Sequence, residues 1–258
     1  KSHTTTAAVA AASKSTNTKP SPDKNGYMYE AVAAYPTGDT TVSRYAATAS
    51  RYGFSGIVVR TREAEFDREA LYDRFGVDVV RGIEIDADSP DSASGSIGNF
   101  RRSATILAVN GGTNALNRFA VEQDRVDVLT QPMQNNGDFN HVLARAAKEH
   151  GVRVEFDFGP AFRQTGGHRV QSLQSLRKLR ELVLQYDTPY VVSNRAESHR
   201  HLRAPREFFA VGEAIGFSKE MIEQGLSEWE RLAGRNRERM AESFIAPGVK
   251  CGRYEEDS

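Results

Sequence analysis

The 258 residues contain one cysteine, Cys251. No intrachain disulfide can form, and a cysteine-rich metal site is excluded. No apolar run approaches the ~20 residues that cross a bilayer as a helix. The first 26 residues lack the continuous apolar core of a secretory signal, and a soluble cytoplasmic protein is the expectation. Net charge is missing too, since 34 Lys and Arg offset 34 Asp and Glu. Attraction of a polyanion by overall charge is therefore excluded, and any such binding must rest on local patches. No G-x-G-x-x-G follows the first strand-like segment, which argues against a dinucleotide-binding sheet.

Residues 1–26 hold no large apolar side chain except Val9. Such a stretch cannot bury enough surface to offset its chain entropy and is expected to be a disordered tail. It carries four Lys and one Asp, which leaves 30 basic and 33 acidic side chains in residues 27–258. From Tyr27 onward, apolar runs of strand length alternate with segments of helical period. YMYEAVAAY, FSGIVVR, VDVVRGIEI, SATILAVN, VDVLTQ, GVRVEFDFG and TPYVVSN are seven expected strands. Helices are expected up to Gly53, over Arg68 to Phe75, after Gly112, up to Gly151, and from His168 to Asp187. In the last of these, Val170, Leu173, Leu176, Leu179 and Val183 mark the face to be buried. Residues 86–99 and the stretch PAFRQTGG are expected to be loops. Near-continuous apolar strands separated by helices imply parallel βαβ units buried on both faces. The residues after Ala204 are helical in period, and no convincing eighth strand precedes them. The expected architecture is an α/β protein with a TIM-like (β/α) barrel over residues 27–245, its last unit degenerate, followed by a flexible acidic end over 246–258. A doubly wound open sheet is the alternative.

The C-terminal ends of barrel strands carry function in this architecture. Here they supply Glu84, Asp86, Glu155 and Asp157, but no histidine on the early strands. A metal site needs several such ligands converging, so Glu84 and Glu155 are expected to pair with arginines or backbone amides inside the barrel. Ser193 with His199 as base lacks the G-x-S-x-G turn that would expose a nucleophile. The glycine pair Gly111–Gly112 is a weak phosphate-loop signal and reads as a turn. The strong signal is basic. From Arg163 to Arg206 there are nine Lys and Arg against three acids. Guanidinium groups bind phosphate bidentately and keep their charge. Arg60, Arg62, Arg163, Arg169, Arg195, His199, Arg200 and Arg203 are therefore the expected RNA-binding residues, with Phe162 and His199 available to stack on bases.

The run from Glu155 to Gly216, EFDFGPAFRQTGGHRVQSLQSLRKLRELVLQYDTPYVVSNRAESHRHLRAPREFFAVGEAIG, resembles the barrel-subunit family of archaeal and eukaryotic ribonuclease P. YMYEAVAAYPTG and VVRGIEI are similar to the same family, and the resemblance extends from Tyr27 to about Leu232. The family is related to the polymerase and histidinol phosphatase phosphoesterases, which hold metals through an H-x-H at the first strand end. The matching residues here are Ala33, Ala34 and Tyr35, so both histidines are missing. The resemblance implies a protein subunit of an endoribonuclease, a ribonucleoprotein hydrolase in tRNA processing. Its RNA would remove the 5′ leader of precursor tRNA, with magnesium held largely by RNA phosphates. Ribonuclease P RNA and other protein subunits are the implied partners, and precursor tRNA the substrate of the whole particle. The isolated chain is expected to bind no cofactor or metal of its own and to be non-catalytic. One alternative is a stand-alone metal-dependent phosphoesterase built on Glu84, Asp86, Glu155, Asp157 and His199. Another is a scaffold whose basic loops are irrelevant to RNA.

Overall fold

Each of the seven expected strands forms and pairs in parallel with the next one in sequence. The computed structural model describes residues 27–241 except 136, together with the backbone of 244–246 and 249–250. β1 (Tyr29–Val32), β2 (Gly56–Val59), β3 (Asp78–Ile85), β4 (Ile106–Asn110), β5 (Val128–Thr130), β6 (Arg153–Asp157) and β7 (Tyr190–Ser193) make one sheet in that order. The sheet curls into a nearly closed barrel, as expected. Helices α1 (Val42–Tyr52), α2 (Arg68–Phe75), α3 (Pro90–Phe100), α4 (Asn114–Val121) and α5 (His141–His150) connect the first six strands. Gly53 and Gly151 end α1 and α5 in the left-handed conformation, at φ of 83° and 65°, where a Cβ would be strained.

Alternation along the strands builds two cores. Tyr29, Ala31, Val58, Val80, Ile106, Ala108, Val128 and Val191 pack together in one. The other strand face packs against the surrounding helices. The first core is completed by Trp229, Leu232 and Ala233 of the last helix, α9 (Lys219–Met240). Ion pairs fasten α9 to residues at the starts of strands. Arg237 bonds Asp78, Arg235 and Asn236 bond Asp127, and Glu228 accepts from Arg153.

Among the described residues no eighth strand joins the barrel sheet, which leaves a seam between β1 and β7. Strand-like pairing there is reduced to one bridge, Val32 with Ala196. Side chains satisfy the exposed backbone instead. Glu30 Oε1 accepts from Asn194 N at 2.9 Å, and Trp229 Nε1 donates to the Val192 carbonyl at 2.9 Å. The Tyr45 hydroxyl reaches the carbonyls of Ala33 and Ala196 at 3.1 and 2.9 Å.

Three expectations need correction. Residues 90–100 form helix α3 rather than a loop. Ser89 caps it by accepting from Ser92 N, Pro90 takes the first turn, and Ala93 and Ile97 are buried four residues apart. PAFRQTGG contains a short helix, α6 (Gly159–Arg163), before α7 (Gly166–Tyr186). The apolar stripe of α7 starts late: Leu176, Leu179 and Val183 are buried, but Val170 is 54% exposed. At about 1.5 Å per residue this 21-residue helix runs roughly 30 Å, and every residue from Gly166 to Gln171 is exposed. Beyond α9, β8 (Phe244–Ala246) and β9 (Val249–Lys250) form an antiparallel pair. The expected N-terminal tail and residues 251–258 lie outside the described residues. α8 (Pro205–Ile215) completes the helical layer.

Candidate nucleic-acid interface

At the C-terminal ends of the strands, charged side chains close on one another. Arg60 follows β2 and is almost fully buried. Its Nη1 donates to Glu84 Oε2 and Glu155 Oε2, each at 3.1 Å, and its Nη2 donates to Glu155 Oε1. Beneath it, its guanidinium carbon lies 5.0 Å from the centre of the Trp229 ring. Arg195 donates to Glu84 Oε1 and stands 3.9 Å from Asp157 Oδ2. The Ser193 hydroxyl donates to Glu155. Burial raises the Glu155 carboxyl, but Arg60 overrides it and holds the group below the usual carboxylate range. Asp157 goes the other way: burial, helped by the Glu155 charge, pushes it up to about 6. Glu84 and Glu155 are thus paired with guanidinium groups, as the sequence led one to expect, whereas Asp157 has only the 3.9 Å approach of Arg195.

The first strand end offers no imidazole. Ala33 N donates to the Ala196 carbonyl at 2.9 Å, the Ala34 carbonyl accepts from Thr61 Oγ1 at 2.8 Å, and Tyr35 is exposed. Among the described residues no three His, Cys, Asp or Glu come together as a metal cage. The mouth therefore does not fit a resident metal ion, because Glu84 and Glu155 are already bound by arginine. Ser193 and His199 are not partners either. Ser193 is held by Glu155, and His199 Nδ1 lies 3.2 Å from Thr40 Oγ1.

The eight basic candidates divide into three groups. Arg60 is withdrawn from the surface, since its charge is spent inside the barrel. Arg163, Arg195, His199 and Arg203 lie near the seam and are already engaged. Arg163 Nη1 donates to the Asn194 carbonyl and Oδ1 at 3.0 and 2.8 Å. That approach depends on Gly159, whose Cβ would fall 2.2 Å from Arg163 Nη2. Arg203 donates to the carbonyls of Arg200 and Leu202 and lies 5.9 Å from the centre of the Phe162 ring. Arg62, Arg169 and Arg200 remain available. Arg62 is 59% exposed and, among the described residues, meets Glu63 at 3.8 Å and the Phe100 ring. Arg169 and Arg200 are exposed, with no side-chain partner among the described residues. Phe162 is not free to stack on a base, because its ring packs edge-on against Phe208 at 5.4 Å.

Sequence reasoning missed a cavity of about 580 Å³ beside Glu155 and Asp157. One wall is the overhanging start of α7, with His168, Gln171, Ser172 and Ser175. The other is the loop after β5, where Gln131 and Asn135 adopt left-handed backbone at φ of 50° and 49°. Asn117, fully buried, pins that loop by donating to the carbonyls of Pro132 and Asp138 at 2.8 and 3.1 Å. The signal was present in α7. Positions 168, 171, 172 and 175 extend the Leu176–Leu179–Val183 stripe toward the N-terminus but are polar.

Comparison with known proteins gives a consistent result. The family model described as "RNase P subunit p30" matches residues 26–241. Ribonuclease P protein component 3 of Halorubrum lacusprofundi is 58% identical over 240 residues, covering 89% of this chain and 100% of the relative. The cryo-EM structure of archaeal ribonuclease P with mature tRNA contains a chain of the same fold. The TM-score is 0.75 at 22% identity, over 89% of this chain and 100% of that one. Histidinol phosphate phosphatase of Lactococcus lactis, solved with zinc, L-histidinol and phosphate, shares the fold more distantly. Its TM-score is 0.50 at 10% identity, over 74% of this chain and 94% of the phosphatase.

Proposed function

The chain belongs to the RNase P subunit p30 family, and on that premise we propose that it acts within the ribonuclease P ribonucleoprotein by binding the particle's RNA and neighbouring protein subunits. Precursor tRNA is the substrate of the assembly, and the RNA carries out removal of the 5′ leader. Alone, the chain does not hydrolyse RNA. Magnesium belongs with RNA phosphates rather than with this barrel, and the particle works in the cytoplasm.

One observation carries this reading. Glu84 and Glu155 in the barrel mouth are tied to Arg60 and Arg195, while Arg62, Arg169 and Arg200 are exposed on the segments that follow β2, β6 and β7. A hydrolytic barrel needs the first set open. An RNA-binding barrel needs the second set exposed, because each neutralised phosphate releases counterions.

The test begins with native purification. A single structured RNA should accompany the chain, with precursor-tRNA cleavage in the same fraction. Clean protein without RNA would refute the subunit reading. In the reconstituted particle, changing Arg62, Arg169 and Arg200 together to Ala should weaken RNA association. It should also flatten the dependence of log K on log salt by about one for each phosphate no longer neutralised. An unchanged slope would remove these three arginines from the interface.

A further inference from the structure

We propose that the cavity beside Asp157 receives an unpaired, amino-bearing nucleobase of the RNA partner. This deepens the ribonuclease P reading and rests on it. The cavity opens at the C-terminal ends of β5 and β6, the face on which barrels of this kind bind ligands. Its lining contains no Arg or Lys, so it is not built for phosphate. Gln131, Gln134, Asn135, Gln164 and Gln171 line it with amides instead. An amide offers donor and acceptor side by side, the pairing that base edges require. Met133, Leu176 and Leu179 give apolar surface for the faces of a base, and His168 adds a ring.

The carboxylates set the sign of the ligand. Glu155 is fully committed to Arg60 and Ser193. Asp157, whose side chain is only 11% exposed, uses Oδ1 to accept from Gly159 N at 2.8 Å. Among the described residues no hydrogen-bond donor reaches its Oδ2, and Arg195 Nη1 stops at 3.9 Å. An exocyclic amino group would satisfy that oxygen, whereas an anion would be repelled. Arg169 follows His168 in the chain and is exposed, so a cation is near in sequence to an amide-rich lining. Amides within the cavity suit a base rather than a phosphate. Gln131 and Asn135 adopt left-handed backbone, and Asn117 ties the same loop at the carbonyls of Pro132 and Asp138.

The reconstituted particle provides the test. A p-benzoylphenylalanine placed at Gln171 should cross-link under ultraviolet light to one or two unpaired nucleotides of the RNA. The double variant Gln134→Ala, Gln171→Ala should expose those same bases to chemical modification. It should weaken RNA association roughly tenfold at fixed salt while leaving the salt slope unchanged, because base contacts release no counterions. Thermal melting of the variant shows whether the fold is intact. Cross-linking to a neighbouring protein subunit would mean that the cavity takes a partner side chain and would overturn the proposal. So would an assembled particle with no cross-link, or a double variant whose only effect is a flatter slope. Failure of the unmodified chain to join the particle at all would refute the subunit reading itself.

Discussion

Replacing Arg60 by Met tests whether the barrel mouth is a closed ion network. Met keeps an unbranched stem over Trp229 but removes the guanidinium that makes three hydrogen bonds to Glu84 and Glu155. Glu155 has no exposed side-chain surface and would lose its main partner. Removing one partner of a buried pair costs about 3–5 kcal/mol, a large part of the roughly 5–15 kcal/mol that holds a domain together. The loss stays within that range because Arg195 and Ser193 remain near Glu155. Its pH dependence follows from the direction of the Glu155 shift. With Arg60 present, the folded carboxyl lies below its unfolded value. Its contribution is therefore in place above about pH 4.3 and is lost as pH falls through the lower folded value. Without Arg60, burial raises the folded value, so a penalty grows as pH rises above about 4.3. The gap between the two proteins should be wide near pH 7 and narrow toward pH 4. Adding Glu155→Gln to Arg60→Met removes the orphaned charge and should recover about 1–2 kcal/mol, read as a double-mutant cycle. Urea unfolding followed by the fluorescence of Trp229, the single tryptophan, measures all of this. A loss under about 1 kcal/mol near pH 7, or a gap that does not change with pH, would refute the reasoning.

Two further predictions concern the seam. Burial pushes the Glu30 carboxyl up to about 8, against the backbone amides of Asn194 and Ala31 that favour its charge. A folded value above the unfolded one means stability that is full below about pH 4.3 and lost as pH rises toward 8. Glu30→Gln keeps an acceptor for both amides, so its melting temperature should match the parent near pH 5 and exceed it near pH 8. Parallel curves would contradict the assignment. Trp229→Phe leaves the Val192 carbonyl without its donor and opens a small void, and should cost about 2–4 kcal/mol in urea unfolding followed by circular dichroism. A cost below about 1 kcal/mol would mean that α9 does not seal the seam through this bond.

The strands were legible because strands buried on both faces read as near-continuous apolar runs. The start of α3 was also written in the sequence, as Ser89-Pro90-Asp91, but five Ser and Gly residues between Ser92 and Gly98 masked its helical period. Arg60 shows what local reading cannot supply. It looked like a rim charge because it follows a strand. Strand alternation places it with Val58 on the inner face, and two residues later Arg62 is exposed. Only the register of three separate strands brings it to Glu84 and Glu155. Arg195 was harder still, since its left-handed backbone at φ 45° turns a strand-end residue back over the mouth. The cavity depends on how far α7 overhangs the barrel, a property of packing rather than of any motif.

The charge balance of the mouth explains how a nearly neutral protein can still attract RNA. Inside, Arg60 and Arg195 face Glu84, Glu155 and Asp157. Burial pushes Asp157 up to about 6 and Glu30 to about 8, so near neutral pH Glu30 is largely uncharged and the mouth keeps only the small negative excess of Asp157. A largely compensated mouth projects a weaker field than bare carboxylates would, and exposed charges act over only about 8–10 Å in salt. Exposed Arg62, Arg169 and Arg200 therefore form local basic sites although residues 27–258 carry more acids than bases. Had the mouth carboxylates been left unpaired, their field would oppose the same phosphates a few ångströms away. Placing two guanidinium groups in the barrel mouth thus lowers the electrostatic obstacle that Glu84 and Glu155 would present to a nearby phosphate.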